Sequence, residues 1–98
     1  MYYVSKSLIH GKGIFLSSIT KKDVTIGIAF GHIRNTGSSD KDYASSELGK
    51  FVNHSDYPNL IAELKGSDIY YVTKKKIIAH NELTVNYINL PIIGKLNF

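Results

Sequence analysis

The sequence contains no cysteine and no tryptophan, and only two prolines interrupt its 98 residues. Without cysteine, the chain cannot form a disulfide framework, a cysteine-ligated zinc site or a thiolate nucleophile. Its stability must therefore come from packing. A chain of this length buries about two-thirds of its unfolded surface, which is enough for one core but not for two. We predict a single domain over residues 1–98.

Long apolar runs are also missing. The N-terminus lacks the apolar stretch of a signal peptide, and no segment approaches the roughly 20 apolar residues that span a bilayer. We therefore expect an intracellular protein that does not contact membranes. It would be cytoplasmic in a bacterium, and a viral protein of this kind could act in the host nucleus.

The charge balance is basic, with twelve lysine and arginine residues against eight acidic ones and a formal net charge of +4. Such an excess invites a nucleic-acid interpretation. However, each half of the chain carries six basic and four acidic residues, so there is no basic arm. The single run is Lys74, Lys75 and Lys76. We favour a solvated turn for this run and keep contact with an anionic partner as the alternative.

Short apolar segments separated by turn residues predict a mainly β domain. The clearest hairpin joins residues 59–65 and 69–73, because Gly66 and Ser67 lie between them. Three further elements are predicted: a hairpin of residues 13–18 with 25–30, a short helix within residues 43–51, and an alternating, half-buried strand over residues 83–87.

Several familiar site patterns are absent. The glycines around Lys12 do not form a dinucleotide fingerprint, because Leu16 occupies the position that requires a third glycine. The four histidines show no i, i+4 spacing and no neighbouring carboxylate pair. The sequence therefore predicts no metal site.

Three other motifs occur in order along the chain. Residues 11–15 read Gly-Lys-Gly-Ile-Phe, and residues 51–59 contain Asn-His-Ser followed by Pro-Asn. Residues 77–87 end in Glu-Leu-Thr-x-x-Tyr. With these motifs the chain resembles the SET-domain protein lysine methyltransferases, and most closely the minimal viral SET proteins.

The resemblance covers residues 6–87 and implies a SET-domain fold of short strands in small sheets. It also implies a pseudoknot-like threading near the C-terminus, in which the Asn-His-Ser segment passes through the loop before the final tyrosine. Residues 88–98 would then form a C-terminal tail.

The resemblance further implies a binding site for S-adenosylmethionine. Gly11, Lys12 and Gly13 match the loop whose backbone approaches the methionine part of this cofactor, and Asn53 and His54 match residues that hold it. Taken alone, the two glycines fit an ordinary hairpin or bulge equally well. Asn53 and His54 could likewise form a capped turn.

Two tyrosines are the candidate catalytic residues. Tyr87 matches the tyrosine at the end of the lysine channel, and Tyr43 resembles a second active-site tyrosine that precedes the Asn-His-Ser segment. A packing role is the alternative for both residues, and for Tyr43 it is equally well supported.

The chain departs from the family pattern at three positions before the final tyrosine, occupied by His80, Asn81 and Asn86. His80 replaces a glycine, so a turn that requires positive φ would be strained there. The cysteine-rich flanks that close the lysine channel in many relatives are absent. The wall would come from a second copy of the chain, from the substrate, or from the tail residues Leu90, Ile92, Ile93 and Phe98.

The function implied is that of an S-adenosylmethionine-dependent protein-lysine N-methyltransferase whose substrate presents a lysine, with a histone tail as one candidate. A homodimer is expected because the chain lacks its own closing flank, and nucleic acid is not required. Two alternatives stay open: a SET-like binding module without turnover, and a small basic β-barrel that binds nucleic acid.

Overall fold

The computed structural model describes residues 1–32 and 43–90. These residues form eight strands, one α-helix and one 3₁₀ helix. Ile92, Ile93 and Phe98, which belong to one of the three candidate sources of the channel wall, lie outside them. The strands are β1 (Tyr2–Lys6), β2 (Lys12–Leu16), β3 (Thr25–His32), β4 (Tyr43–Ser45), β5 (Asn53–His54), β6 (Leu60–Lys65), β7 (Asp68–Thr73) and β8 (Thr84–Val85); the helices are α1 (Glu47–Phe51) and the 3₁₀ turn Tyr87–Asn89.

The described strands form three small sheets. An antiparallel pair joins β1 to β2, a four-stranded sheet has the order β4-β3-β7-β6, and a short parallel pair joins β5 to β8. The mainly β fold predicted from the sequence is confirmed. Because each sheet is too small to bury a core alone, all three pack around one cluster of apolar side chains.

The hairpin predicted between residues 59–65 and 69–73 is confirmed as β6 and β7, which pair in register from Leu60↔Thr73 to Lys65↔Asp68. A two-residue turn connects them. Its first residue, Gly66, has a φ of +62°, a conformation that glycine adopts without steric cost.

The hairpin predicted between residues 13–18 and 25–30 is wrong. β2 pairs with β1, whereas β3 pairs with β4 and β7. The chain does not turn back after β2, because Thr20 exchanges backbone hydrogen bonds of 2.9 and 2.8 Å with Ile77. After this bridge, Asp23 and Val24 bond to the backbone of Thr73 at the C-terminal end of β7.

The helix predicted within residues 43–51 is half right. Tyr43–Ser45 form the edge strand β4, and only Glu47–Phe51 are helical. Ser46 separates the two elements because its hydroxyl oxygen accepts a bond from the Gly49 N–H and caps the helix. The buried side chain of Leu48 anchors this short helix to the core.

The strand predicted over residues 83–87 is shorter than expected. Only Thr84–Val85 form a strand, and Leu83, Thr84 and Val85 are all buried in succession. Alternation marks a strand with one solvated face, whereas β8 has protein on both sides. The Asn86 side chain then accepts a bond from the Ile88 N–H and starts the 3₁₀ turn at Tyr87.

The core draws on every sheet and on α1. The largest fully buried apolar side chains are Ile14, Leu16, Leu48, Val52, Leu60, Ile69, Tyr71 and Leu83.

No helix among the described residues is long and apolar enough to cross a bilayer.

His80 stands in the turn where the sequence comparison expects glycine, and its φ is +67°. This conformation is unfavourable for a residue with a Cβ, so the expected backbone strain is present. A side-chain contact offsets part of it, since the Tyr3 hydroxyl lies 2.8 Å from His80 Nδ1. Tyr3 is in turn stacked on Phe15, with the ring centroids 5.7 Å apart.

We expect His80→Gly to be more stable than His80→Ala by about 1 kcal/mol. Both variants lose the Tyr3 contact, but only glycine adopts the positive φ of this turn without strain. Urea unfolding of the two proteins measures the difference. Equal stability of the two variants would show that the turn relaxes to an ordinary conformation.

Candidate active site

One cleft collects three of the seven predicted site residues, Asn53, His54 and Tyr87. Its volume is about 510 Å³, within the range typical of small-molecule sites. Its lining comes from the loop after β1, from α1, from β5 and from the final 3₁₀ turn. The lining residues are Ile9, His10, Lys50, Asn53, His54 and Tyr87.

The parallel pairing of β5 with β8 brings two of the sequence motifs together. Asn53 pairs with Thr84 and His54 with Val85. The Asn59 side chain extends this contact: its amide nitrogen donates to the Glu82 carbonyl at 2.9 Å, and its oxygen accepts from the Thr84 N–H at 2.8 Å. The Asn-His-Ser-x-x-Pro-Asn segment is thus held along the Glu-Leu-Thr segment at both ends.

Asn53 is the buried amide that links several segments of the site. It is 8% exposed, and its Nδ2 lies within hydrogen-bond distance of four acceptors: Ser7 Oγ at 3.0 Å, the His10 carbonyl at 3.0 Å, the Lys12 carbonyl at 3.2 Å and Glu82 Oε2 at 2.9 Å. Nδ2 carries only two hydrogens for these four acceptors, so at least one hydrogen is shared between two acceptors. The amide therefore ties the glycine loop to β5 and to the Glu82 side chain.

Ser7 shapes the loop on one wall of the cleft. Its hydroxyl oxygen accepts from the backbone N–H groups of Ile9 and His10, at 2.8 and 3.2 Å, and its hydrogen goes to Glu82. The backbone closes the same turn through a 2.8 Å bond from the Ser7 N–H to the Gly11 carbonyl. This turn fixes the backbone of Ile9 and His10, which both line the cleft.

Glu82 approaches the backbone of Gly13 closely. A Cβ built on Gly13 would overlap the Glu82 carboxylate and lie 3.2 Å from Ser7 Cβ. The carboxylate cannot move aside without losing its bonds from Ser7 and Asn53. Glycine is therefore required at position 13 by the packing of Glu82.

His54 is oriented by hydrogen bonds on both ring nitrogens. The Tyr87 backbone N–H donates to Nδ1 at 3.0 Å, so the hydrogen of the neutral ring lies on Nε2. Nε2 faces Asp56 Oδ1 at 3.0 Å. The ring also packs against the Tyr87 ring, with centroids 5.2 Å apart. His54 thus positions both the backbone and the ring of Tyr87.

The Tyr87 hydroxyl donates to the Val52 carbonyl at 2.8 Å. Burial raises the pKa of this hydroxyl above its ordinary value of 10.0, so at neutral pH Tyr87 is a neutral phenol. While the bond to Val52 persists, the oxygen can interact with a further ligand only as an acceptor.

The Tyr71 side chain lies in the core, on the same face of the four-stranded sheet as its cross-strand neighbour Ala62. It is fully buried, and its hydroxyl has no hydrogen-bond partner within residues 1–32 and 43–90. Burial, and secondarily the nearby Tyr87 hydroxyl, raise the pKa of Tyr71 well above its ordinary value.

The comparisons with known proteins point to one family. The family of SET domains matches residues 6–88, most of the chain. The chain belongs to the SET domain family. SET domains are in general lysine methyltransferases. No curated protein matches the sequence.

Two solved structures have a similar fold. A crystal structure of a candidate histone methyltransferase from Plasmodium falciparum has a TM-score of 0.68 and 24% sequence identity; the match covers 89% of this chain and 96% of that one. A chain of the apo ctPRC2 complex with a doubly substituted Ezh2 has the same TM-score at 17% identity. That match covers 97% of this SET domain and only 16% of the larger chain.

The SET domain places Asn53, His54 and Tyr87 together in the cleft. Gly11, Lys12 and Gly13 form the adjoining loop rather than the lining, although the Lys12 carbonyl bonds to Asn53. Tyr43 begins β4, and its side chain lies outside the described part of the chain. The assignment of these residues to cofactor and catalysis stays a prediction.

Sequence reasoning missed Ser7, Ile9, His10, Lys50 and the role of Glu82. Glu82 and His10 could have been considered, because the first belongs to the Glu-Leu-Thr motif and the second precedes Gly11. Nothing in the sequence marks Ser7, Ile9 or Lys50, since their roles arise from contacts between distant segments.

We expect Gly13→Ala to destabilise this SET domain by about 2 kcal/mol, because the added methyl group displaces the Glu82 carboxylate. In a Glu82→Ala background the same change should cost less than half as much. Urea unfolding of the four proteins gives this coupling. An identical cost in both backgrounds would contradict the steric role of Glu82.

We expect Tyr71→Phe to raise stability at neutral pH by about 1 kcal/mol, because it removes an unpaired buried hydroxyl. Above pH 10 the unfolded wild type releases the Tyr71 proton, whereas the folded state retains it because its pKa is raised. Wild-type stability should therefore fall with rising pH, by up to about 1.4 kcal/mol per pH unit from this residue.

The Tyr71→Phe variant lacks the pH dependence that the Tyr71 hydroxyl contributes, so its stability should decline more slowly above pH 10. Chemical unfolding from pH 7 to 11 compares the two proteins, and ionisation of the other residues is common to both. Parallel declines would contradict the buried, proton-retaining state of Tyr71.

Proposed function

We propose that this SET domain is an S-adenosylmethionine-dependent protein-lysine N-methyltransferase. The observation that carries the proposal is the cleft in which the paired strands β5 and β8 bring Asn53 and His54 beside Tyr87. These residues come from two motifs far apart in sequence. The resemblance that led to them also implies a methyl donor on one side and a lysine on the other.

The residues present fit this cofactor. The cleft volume of about 510 Å³ suits a nucleoside joined to an amino acid. Lys50 would pair with the carboxylate, and Asn53 Oδ1, which has no donor among the described residues, would accept from the ammonium group. When bound, S-adenosylmethionine supplies a methyl group attached to a positively charged sulfur. After transfer of the methyl group, the rest of the cofactor is a neutral thioether.

Tyr87 would orient the substrate amine. Its hydroxyl hydrogen is held by the Val52 carbonyl and its ring by His54, so the phenolic oxygen has a fixed position. An amine N–H can donate to that oxygen and align its lone pair with the methyl group. Alignment of the two reactants supplies much of the catalysis in a transfer of this kind.

The lysine must lose its proton before it can accept the methyl group, because its ordinary pKa is about 10.4. Tyr87 does not act as the base, since its own pKa is raised by burial and its hydrogen is donated to Val52. An apolar channel and a neighbouring positive charge both favour the neutral amine. The environment of the cleft, rather than a general base, would therefore generate the nucleophile.

We propose histone tails as the first substrates to test, because a candidate histone methyltransferase shares this fold. Incubation with isotopically labelled S-adenosylmethionine and core histones, or a cell lysate, followed by mass spectrometry, identifies a methylated lysine. Calorimetry measures cofactor binding separately. Binding without product would favour a SET-like binding module, and absence of binding would overturn both interpretations.

We expect Tyr87→Phe to lower kcat by about 100-fold, because the amine loses its oriented acceptor. The cofactor Kd should change much less. Tyr57→Phe is a matched control, because Tyr57 is 90% exposed and lies outside the cleft.

Thermal unfolding of both variants checks that loss of the Val52 bond does not unfold the protein. A Tyr87→Phe enzyme with wild-type turnover would remove this residue from the mechanism.

A further inference from the structure

Two lysine-containing segments that are distant in sequence form one surface. Thr73 Oγ1 donates to the Lys21 carbonyl at 2.7 Å, across 52 positions, and the Asp23 N–H donates to the Thr73 carbonyl at 2.9 Å. The Thr20–Ile77 bridge closes the other end of this contact. The lysine patch defined by this junction comprises the exposed residues Lys21, Lys22, Lys74, Lys75 and Lys76.

The two segments that carry the lysine patch have a net charge of +4, which equals the net charge of the whole chain. The patch holds five basic residues, and Asp23 is the one acidic residue in its two segments. The rest of the sequence contains seven basic and seven acidic residues. The even distribution along the sequence therefore hides a concentration of lysines where these two segments meet.

None of the five ammonium groups forms a salt bridge with the described residues. The backbone beneath them is well fixed. Thr73 donates to the Val24 carbonyl, its hydroxyl accepts from the Val24 N–H, and the Lys74 N–H donates to the Asn59 carbonyl. Like charges are thus held close together on a rigid platform without internal compensation.

The composition of the patch selects its partner. Its two segments, residues 20–24 and 73–77, contain no arginine and no aromatic residue. Arginine forks make the bidentate contacts that read base edges, and aromatic rings stack on unpaired bases. Lysine ammonium groups act as point charges, which neutralise backbone phosphates without reading the bases. A nucleic-acid duplex presents such phosphates at about one charge per 1.7 Å of its axis.

We propose that the lysine patch binds the phosphate backbone of double-stranded nucleic acid without sequence preference. The patch is separate from the proposed cofactor cleft, so this inference does not rest on methyl transfer. Lys74 also lines a small pocket with Asn86, the residue before Tyr87. A bound duplex would therefore lie near the end of the active-site motif.

Fluorescence anisotropy with labelled 20-base-pair DNA, without cofactor, tests this proposal. The patch variant is Lys75→Gln with Lys76→Gln. The control is Lys6→Gln with Lys65→Gln, which removes the same charge from two exposed lysines elsewhere. Loss of two phosphate contacts should weaken binding by about 10- to 100-fold at 0.1 M salt and reduce the salt slope by about 2.

The control variant should bind within about threefold of wild type. Equal weakening by both variants would overturn the proposal, because it would show a response to net charge alone. No binding at low salt would also overturn it. Binding of a 20-base-pair RNA duplex, compared with the DNA duplex, distinguishes the source of the phosphates. Stronger competition by polyglutamate than by unlabelled duplex would overturn the proposal and assign the patch to an acidic protein.

Discussion

The site depends on one buried amide. Asn53 Nδ2 reaches the Ser7 hydroxyl, two carbonyls of the glycine loop and the Glu82 carboxylate, so it joins the loop between β1 and β2 to β5 and to the segment before β8. An amide suits this position because it donates in two directions and carries no charge to desolvate. The loop geometry, the need for glycine at position 13 and one wall of the cleft all follow from these bonds.

The short motifs predicted the site better than the periodicity predicted the strands. Asn53, His54 and Tyr87 meet in one cleft because their motifs include the residues that pair β5 with β8. Hydrophobic alternation over residues 83–87 was misleading, since β8 is covered on both faces. The false hairpin after β2 arose because local turn residues carry no information about the distant Ile77 that captures Thr20.

The surface charge shows the same limit. Counting lysines along the chain indicates no basic region, because the runs at 21–22 and 74–76 lie in different halves. Their proximity is determined by Thr73, a fully buried residue whose hydroxyl both donates to the Lys21 carbonyl and accepts from Val24. A buried polar side chain, together with the neighbouring backbone bonds, thus holds the two lysine runs beside each other.

The bond between Ser7 and Glu82 spans 75 positions, which has a consequence for folding. Closing so long a loop is entropically costly, so the cleft should be completed late, after the local β6–β7 hairpin has formed. Local opening of the segment around Ser7 or of the segment around Glu82 would disrupt the cleft while the central sheet stays folded. A ligand that binds there would bridge these segments, and its binding energy would oppose their local opening.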